Sequence, residues 1–431
     1  MRTSATLKGL APLLSGLLYL AAAYPANAEQ YTYTLSQVVE YAQQHNGDLT
    51  AFREEKGLRE AGKVKAGLLP NPTIELECGT GALTGNSAEN SLSLGVSQEF
   101  PLAGKQGKRV AVAERELEMY GWQLADRKRQ LLEEVKTAFY DIILAERRVA
   151  LADRAIALNR QLLRVAEERL AAGDIPELDV NLVKVELARS EGARIDTTIT
   201  EHQSQAKLSM LMGTPTGEFP VITGNLDTKV SVTTLADLKR LANDHRPDLK
   251  ALEAEKGRGE ADITLARVEG VPNLTAGLAL KRDTTTMEIG GVEGKETSYT
   301  IALKLSMPIP LFDRNQAGIQ EARARRNSTE SRLTAATRII EREVETAYVG
   351  YLNSEKALTL YKTTIIPQLE ENLKLTEEAY RLGEIGILAV IQEQKKFFEV
   401  NDAYLAALHG RQTAGVKLES AVATELTGGV Q

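Results

Sequence analysis

Cysteine is almost missing from this chain of 431 residues: Cys78 stands alone. That excludes an internal disulfide framework and any paired-cysteine zinc site. Histidines number four, at positions 45, 202, 245 and 409, and none has a partner at HxxH or HxxxH spacing. His45 and His245 occupy equivalent helix ends, which suits a structural role better than a metal site. Aromatic residues make up only 5%, which argues against a large aromatic pocket. Basic charge is in deficit, with 52 Lys+Arg against 59 Asp+Glu and a formal charge of −7. A chain that coats nucleic acid would carry the opposite imbalance. After Ala28 no uncharged run exceeds about a dozen residues, whereas a spanning helix needs about 20 apolar ones. The remaining route across a bilayer is a β-barrel.

The first 28 residues are of another kind. Arg2 and Lys8 form a basic start, Leu13-Leu14 and Leu17–Ala23 an apolar centre, and Ala26-Asn27-Ala28 a small-residue cleavage site. This reads as a secretory signal peptide over 1–28. Pro12, Pro25 and the small-residue ending favour cleavage over retention as an anchor. Without Arg2 and Lys8 the formal charge becomes −9.

The rest is one unit written twice. His45-Asn46-Gly47-Asp48-Leu49 resembles His245-Arg246-Pro247-Asp248-Leu249, and Glu55-Lys56-Gly57 repeats as Glu255-Lys256-Gly257. Pro101-Leu102 returns as Pro310-Leu311, and Glu134–Phe139 as Glu343–Tyr348. Gly173-Asp174-Ile175 matches Gly383-Glu384-Ile385, with Leu178/Leu388 and Val180/Val390 in step. Several anchors in one order imply a duplicated half rather than a short-period solenoid. The division is 29–212, a Gly-, Pro- and Thr-containing linker at 213–234, 235–424, and a tail at 425–431.

Each half has the same expected layout. A short helix (35–46 or 235–243) precedes a second (48–69 or 248–269) that prolines terminate. Two strands follow, at about 72–82 and 91–100 in the first half and about 272–282 and 297–308 in the second. Ile74, Leu76 and Cys78 alternate with polar residues, as do Leu92, Leu94 and Val96; Leu274, Ala276, Leu278 and Leu280; and Ile301, Leu303, Leu305 and Met307. Such alternation over about ten residues is the mark of a transmembrane barrel strand, although a half-buried soluble sheet alternates in the same way. The polar stretches 79–90 and 283–296 read as connecting loops. Four strands cannot close a barrel, so several chains would have to share one.

Long helical hairpins, about 105–212 and 314–424, complete the halves. Val135, Ile142, Val149, Ile156, Leu163 and Leu170 keep a heptad, with Ala138, Ala145, Ala152, Asn159 and Ala166 three residues on. Large residues at one seam and small ones at the other suit coiled-coil packing. From 105 to 172 this element spans about 100 Å at about 1.5 Å per residue, which fits a helical tube or a rod. Pro367 should kink the second hairpin.

Chemistry-bearing motifs are few. Gly104-Lys105-Gln106-Gly107-Lys108 lacks the spacing of a phosphate-binding loop. Glu133/Glu134 and Glu167/Glu168 follow helix faces rather than forming an acid–base pair. No catalytic residue, cofactor site or metal site is nominated, and the expectation is a non-enzyme without cofactor. Two places invite a role. The hairpin turns carry Arg169, Gly173, Asp174, Ile175 and Asp179, and Arg381, Gly383, Glu384 and Ile385; ordinary helix punctuation would produce the same glycine and acid. Lys105, Lys108 and Arg109 follow the second strand, where they would sit at a membrane edge against anionic headgroups.

Leu68-Leu69-Pro70-Asn71-Pro72, the duplicated turns, Tyr380-Arg381-Leu382-Gly383-Glu384-Ile385 with Leu388, Val390 and Gln394, and Ile366–Leu373 together resemble the outer-membrane efflux proteins, the TolC-like ducts. Phe100–Arg109 is similar to the cobalt-zinc-cadmium resistance branch, which usually reads Gly-Gly-Lys-Arg-x-x-Arg there. Gly104, Lys105 and Arg109 match, and Ala103 and Gln106 depart.

The resemblance implies a mainly α fold with a transmembrane β-barrel portion. Each chain would give four strands to a twelve-stranded barrel in a homotrimer, with helices forming a periplasmic α-barrel. It implies an outer membrane location in a Gram-negative bacterium. Partners would be a periplasmic adaptor at the tips, an inner-membrane efflux pump and outer-membrane lipid, with no nucleic acid. The expected function is a passive exit duct, with heavy-metal cations as the favoured cargo. Alternatives are a duct for drugs or secreted protein, and a soluble periplasmic coiled-coil adaptor or scaffold.

Overall fold

The computed structural model describes residues 32–83, 85–215 and 217–426. The leader at 1–28 and the last five residues of the expected tail lie outside them.

Two similar helical entries begin the halves. In α1 (Leu35–His45) the Thr34 hydroxyl accepts from the Gln37 amide at 3.5 Å. The Gln37 side chain accepts from the Thr34 amide at 2.9 Å. Together these form a capping box that satisfies donors the helix itself leaves free. Thr234 caps α6 (Leu235–His245) through its hydroxyl alone, which accepts from the Asp237 amide at 3.3 Å. The expected helix at 48–69 is two pieces, α2 (Gly47–Glu54) and α3 (Lys56–Ala66), because the chain tightens at Glu55 into a Leu58 amide to Glu55 carbonyl bond. Its counterpart α7 (Pro247–Glu269) is continuous, with Pro247 in the first turn, where its missing N–H costs nothing.

The strands are β2 (Thr73–Thr80), β3 (Asn90–Phe100), β5 (Leu274–Ile289) and β6 (Val292–Ser306), antiparallel in the order β2-β3-β5-β6. Register carries the alternation across the whole sheet. Ile74, Val96, Leu278 and Leu303 lie abreast, and so do Leu76, Leu94, Leu280 and Ile301. Residues directly opposite share a face, so one face carries a continuous apolar band, bordered by Gln98 and Arg282. None of the described residues covers it: Ile74 and Leu303 are each 73% exposed.

One expectation is corrected here. The polar stretch 283–296 is mostly strand, and only Gly290-Gly291 turns, both at positive φ (65° and 84°). That pair suits the two-residue hairpin turn whose twist matches the flanking strands. Thr284, Thr285 and Thr286 are β-branched and favour the pleat despite their polarity. The hairpin runs past the end of β3, and the 81–89 loop folds onto it through Asn86 to Thr286.

The shafts are α4 (Lys105–Ala171, 67 residues) with α5 (Glu177–Met212), and α8 (Gln316–Leu360) with α9 (Ile366–Arg381) and α10 (Ile387–Val422). Of the α4 heptad, Val135, Ile142 and Ile156 are buried, as are Ala138, Ala145, Asn159 and Ala166. Burying a Val or Ile side chain fully contributes about 1.5–3 kcal/mol. Two parallel cores result: Val38, Ala42, Leu49, Val135, Ile142 and Leu208 in one half, and Leu238, Ala242, Leu249, Val344 and Leu418 in the other. The disruption expected at Pro367 takes the form of a π-turn at Tyr361–Ile365, immediately before it. A proline ring collides with the carbonyl four residues back. That residue, Thr363, lies within the widened turn.

The 213–234 segment is more than a linker. It contributes β4 (Val221–Ile222), which pairs in parallel with β1 (Thr32–Tyr33), and it buries Ile222 and Leu226 against the helices. Among the described residues, no helix is long and apolar enough to cross a membrane.

Candidate functional site: the paired helix tips

Both shafts end in the same turn. Gly173 (φ +83°) and Gly383 (φ +78°) adopt the left-handed conformation that stops a helix. The Gly173 amide bonds the Leu170 carbonyl and the Asp174 amide bonds the Arg169 carbonyl. Gly383 to Tyr380 and Glu384 to Ala379 repeat the pair. This is the Schellman closure, which pairs carbonyls the helix leaves open. Glu177 and Asp179 then lie in the first turn of α5, near the positive end of its dipole, whereas α10 starts without an acid.

The fold brings the two turns together. Leu162, Ala166, Val180 and Val183 of the first hairpin share a core with Tyr380, Ile387 and Val390 of the second, and Ile175 and Ile385 pack against it half-buried. Arg169 joins them in two ways. Its Nη1 donates to the Tyr380 carbonyl at 2.9 Å, and its guanidinium carbon lies 4.9 Å from the centre of the Tyr380 ring. That geometry is a cation–π contact. The Tyr380 hydroxyl is buried with no hydrogen-bond partner among the described residues. Burial raises its pKa, and Arg169 opposes that rise. Asp174, Arg381 and Glu384 remain exposed at the very end, while Asp179 is half-buried.

Sequence reasoning found the turns but not this cross-link, because Tyr380 stands where the first half has Leu170. The aromatic substitution at an equivalent position was the available signal. Behind the tips, Gln394 is 4% exposed, with its amide nitrogen 3.4 Å from Glu377. It lines a groove of about 420 Å³ between α4, α5 and α10, together with Asn159 and Ser190.

The basic trio after β3 is not the surface set expected. Lys105 is turned inward: its side chain is 3% exposed, with Nζ 2.6 Å from Asn273 and 3.8 Å from Glu269. Arg109 donates to the same Glu269 at 3.0 and 2.8 Å. Lys105 and Arg109 thus fasten one half to the other. A buried ammonium requires such partners, and they come from the far half of the sequence. Lys108 alone stays exposed. Among the described residues no group of three or more His, Cys, Asp or Glu is placed to hold a metal ion.

Two elongated hairpins meeting at their tips, with an uncovered apolar sheet at the other end of a 67-residue helix, make up a TolC-like fold. The chain belongs to the outer membrane efflux protein family, whose model matches residues 38–214 and 238–424.

It is 25% identical over 377 residues to the cobalt-zinc-cadmium resistance protein CzcC of Cupriavidus metallidurans, covering 87% of this chain and 86% of that one. The nickel-cobalt-cadmium resistance protein NccC of Alcaligenes xylosoxydans is 25% identical over 254 residues, 58% of this chain and 54% of that one. Among solved structures, CusC, described for transmembrane channel formation, superposes with a TM-score of 0.75 at 18% identity, covering 90% of this chain and 91% of that one. The protein is therefore an outer-membrane efflux protein with a periplasmic helical extension, resembling the heavy-metal resistance branch, and its relatives are channels rather than enzymes.

Proposed function

We propose that three copies of this chain form a passive exit duct for heavy-metal cations. The observation that carries the reading is the sheet. Its apolar face is exposed, and the outer edges of β2 and β6 have no strand partner among the described residues. In lipid an open edge is untenable. Twelve strands from three chains would close the ring and remove every edge.

The tips would meet a periplasmic adaptor that links the duct to a proton-driven inner-membrane pump. The names of CzcC and NccC support metal cargo. A duct need not chelate what passes through it. Asp174 and Glu384, exposed at the tips, and Asp179 behind them would form a carboxylate ring in the trimer, and such rings favour cations. Arg169, Gly173, Ile175, Arg381, Gly383 and Ile385 would shape the adaptor contact, and Lys108 would face lipid headgroups.

Deleting the gene should lower tolerance to cobalt, zinc or cadmium and leave drug tolerance unchanged; the opposite pattern would assign the duct to drugs. Purified protein should migrate faster on gels before heating than after, as barrels do. In planar bilayers, Asp174→Ala with Glu384→Ala should reduce cation selectivity, and unchanged selectivity would sink the ring.

A further inference from the structure

The second hairpin is interrupted where the first is not. α4 runs unbroken for 67 residues, whereas α8 gives way to the π-turn at Tyr361–Ile365 before α9 resumes. In that turn the Ile366 amide bonds the Tyr361 carbonyl, five residues back. A widened turn is a weak point in a helix and a common site of bending.

The inter-half segment is anchored at this level. Leu226 is buried, and its carbonyl accepts from Arg411 at 2.9 Å and Gln412 at 2.7 Å, both on α10. Gln412 also reaches the Thr228 carbonyl at 2.7 Å, and the Tyr351 hydroxyl reaches that of Val230 at 3.1 Å. Arg411 is buried and pairs with Glu355 at 3.3 Å, one helical turn and a half before the π-turn. From this strap Asp227 points outward to Lys362, inside the π-turn, with both carboxylate oxygens at 2.6 and 2.7 Å. Asp227 also lies 3.2 Å from Arg411. Tyr361 of the turn packs on Tyr404 of α10, ring centres 6.3 Å apart.

We propose that the Asp227–Lys362 pair is a latch that fixes the bend at the π-turn and so sets how the second hairpin's tip sits against the first. Three observations meet here: a strap tied by buried groups, a bend point on one hairpin only, and one ion pair joining the two. The strap is tied down, because Arg411 and Gln412 donate to its carbonyls. The latch can open, because Asp227 and Lys362 are both partly exposed, at 47% and 37%. Exposed pairs are weak and screened by salt, which suits a contact made to be released. The proposal rests on the duct reading only where an aperture is measured.

The test uses the full-length protein, Cys78→Ser, with spin labels on Leu178→Cys and Leu388→Cys, exposed and equivalent positions beside the two tips. Labelled subunits are diluted with unlabelled ones. Lys362→Met removes the latch and leaves Arg411 its partners. It should broaden and lengthen the distance between the labels, and raise amide exchange over 361–366 about fivefold. Glu355→Gln perturbs the same charge cluster without touching the π-turn and should do neither. Distances and exchange unchanged in Lys362→Met, or changed equally in Glu355→Gln, would overturn the latch. Conductance of Lys362→Met should rise in bilayers. If the unmodified protein conducts nothing, the duct reading fails while the distances still decide the latch.

Discussion

Ala103 adopts φ +57° just before α4, a left-handed conformation that costs a residue with a Cβ about 1 kcal/mol or more. The resembling branch usually has glycine there. The departure from the resembling pattern is therefore a strained and exposed backbone position. Ala103→Gly should stabilise the folded chain by about 1 kcal/mol, read as a higher denaturant midpoint with an unchanged slope. Asp141 shows the opposite economy. Burial alone would raise its pKa, but hydrogen bonds from His409 (2.8 Å) and Lys207 (3.0 Å) hold it below the ordinary 3.8. A depressed carboxylate stabilises the fold above the unfolded pKa and loses that contribution as pH falls through the folded one. Asp141→Asn should thus cost about 1–2 kcal/mol at neutral pH, and the deficit should shrink as pH falls below 3.8 and vanish below the depressed folded pKa. A deficit that persists in acid would point to packing instead.

At the scale of elements, legibility followed period and punctuation. The heptad from Val135 to Leu170, the prolines after the second helices and the glycine stops at Gly173 and Gly383 each act locally, so their elements lie where the sequence suggested. What stayed hidden depends on partners distant in sequence. Lys105 reads as a solvated helix start until Glu269 and Asn273 meet it. The 283–296 stretch reads as loop because its composition is polar, although its threonines favour the pleat and only its glycines turn. The inter-half segment reads as linker because its anchors, Arg411 and Gln412, lie at the far end of the chain. Asn46 and Arg246 make the same point. These equivalent positions diverge: Asn46 caps α2 and donates to the Leu211 carbonyl at 2.9 Å, while Arg246 forks to Asp248 and Glu343 at 2.6 Å each. At the tips the turns were legible from their glycines, but Arg169 over Tyr380 was not. Arg169→Ala should therefore loosen one hairpin tip from the other and speed amide exchange at Tyr380–Glu384, whereas Arg169→Lys, a cation without the planar fork, should restore little.

At the scale of the molecule, duplication explains the elongated shape. Each half repeats one layout of entry helices, strand pair and hairpin, and the halves meet along their length rather than folding as separate globules. Low aromatic content is compatible with helical cores built on alanine and leucine, such as Ala138, Ala145 and Leu131. If three chains share one barrel, the assembly should resist separation until the sheet melts. Glu269→Ala, which leaves Lys105 buried without its carboxylate, should lower the temperature at which trimers dissociate on gels.

The small parallel pair of β1 and β4 has a kinetic consequence. Thr32 and Tyr33 bond Val221 and Ile222, so the earliest described segment finds its partner only after the entire first half has followed it. If the chain is exported from its amino end, that strand waits unpaired while nearly two hundred residues emerge. Contacts so far apart in sequence close slowly, and an idle edge invites wrong pairing. Among the described residues β1 has no strand partner but β4, so this pair cannot close before the inter-half segment has arrived.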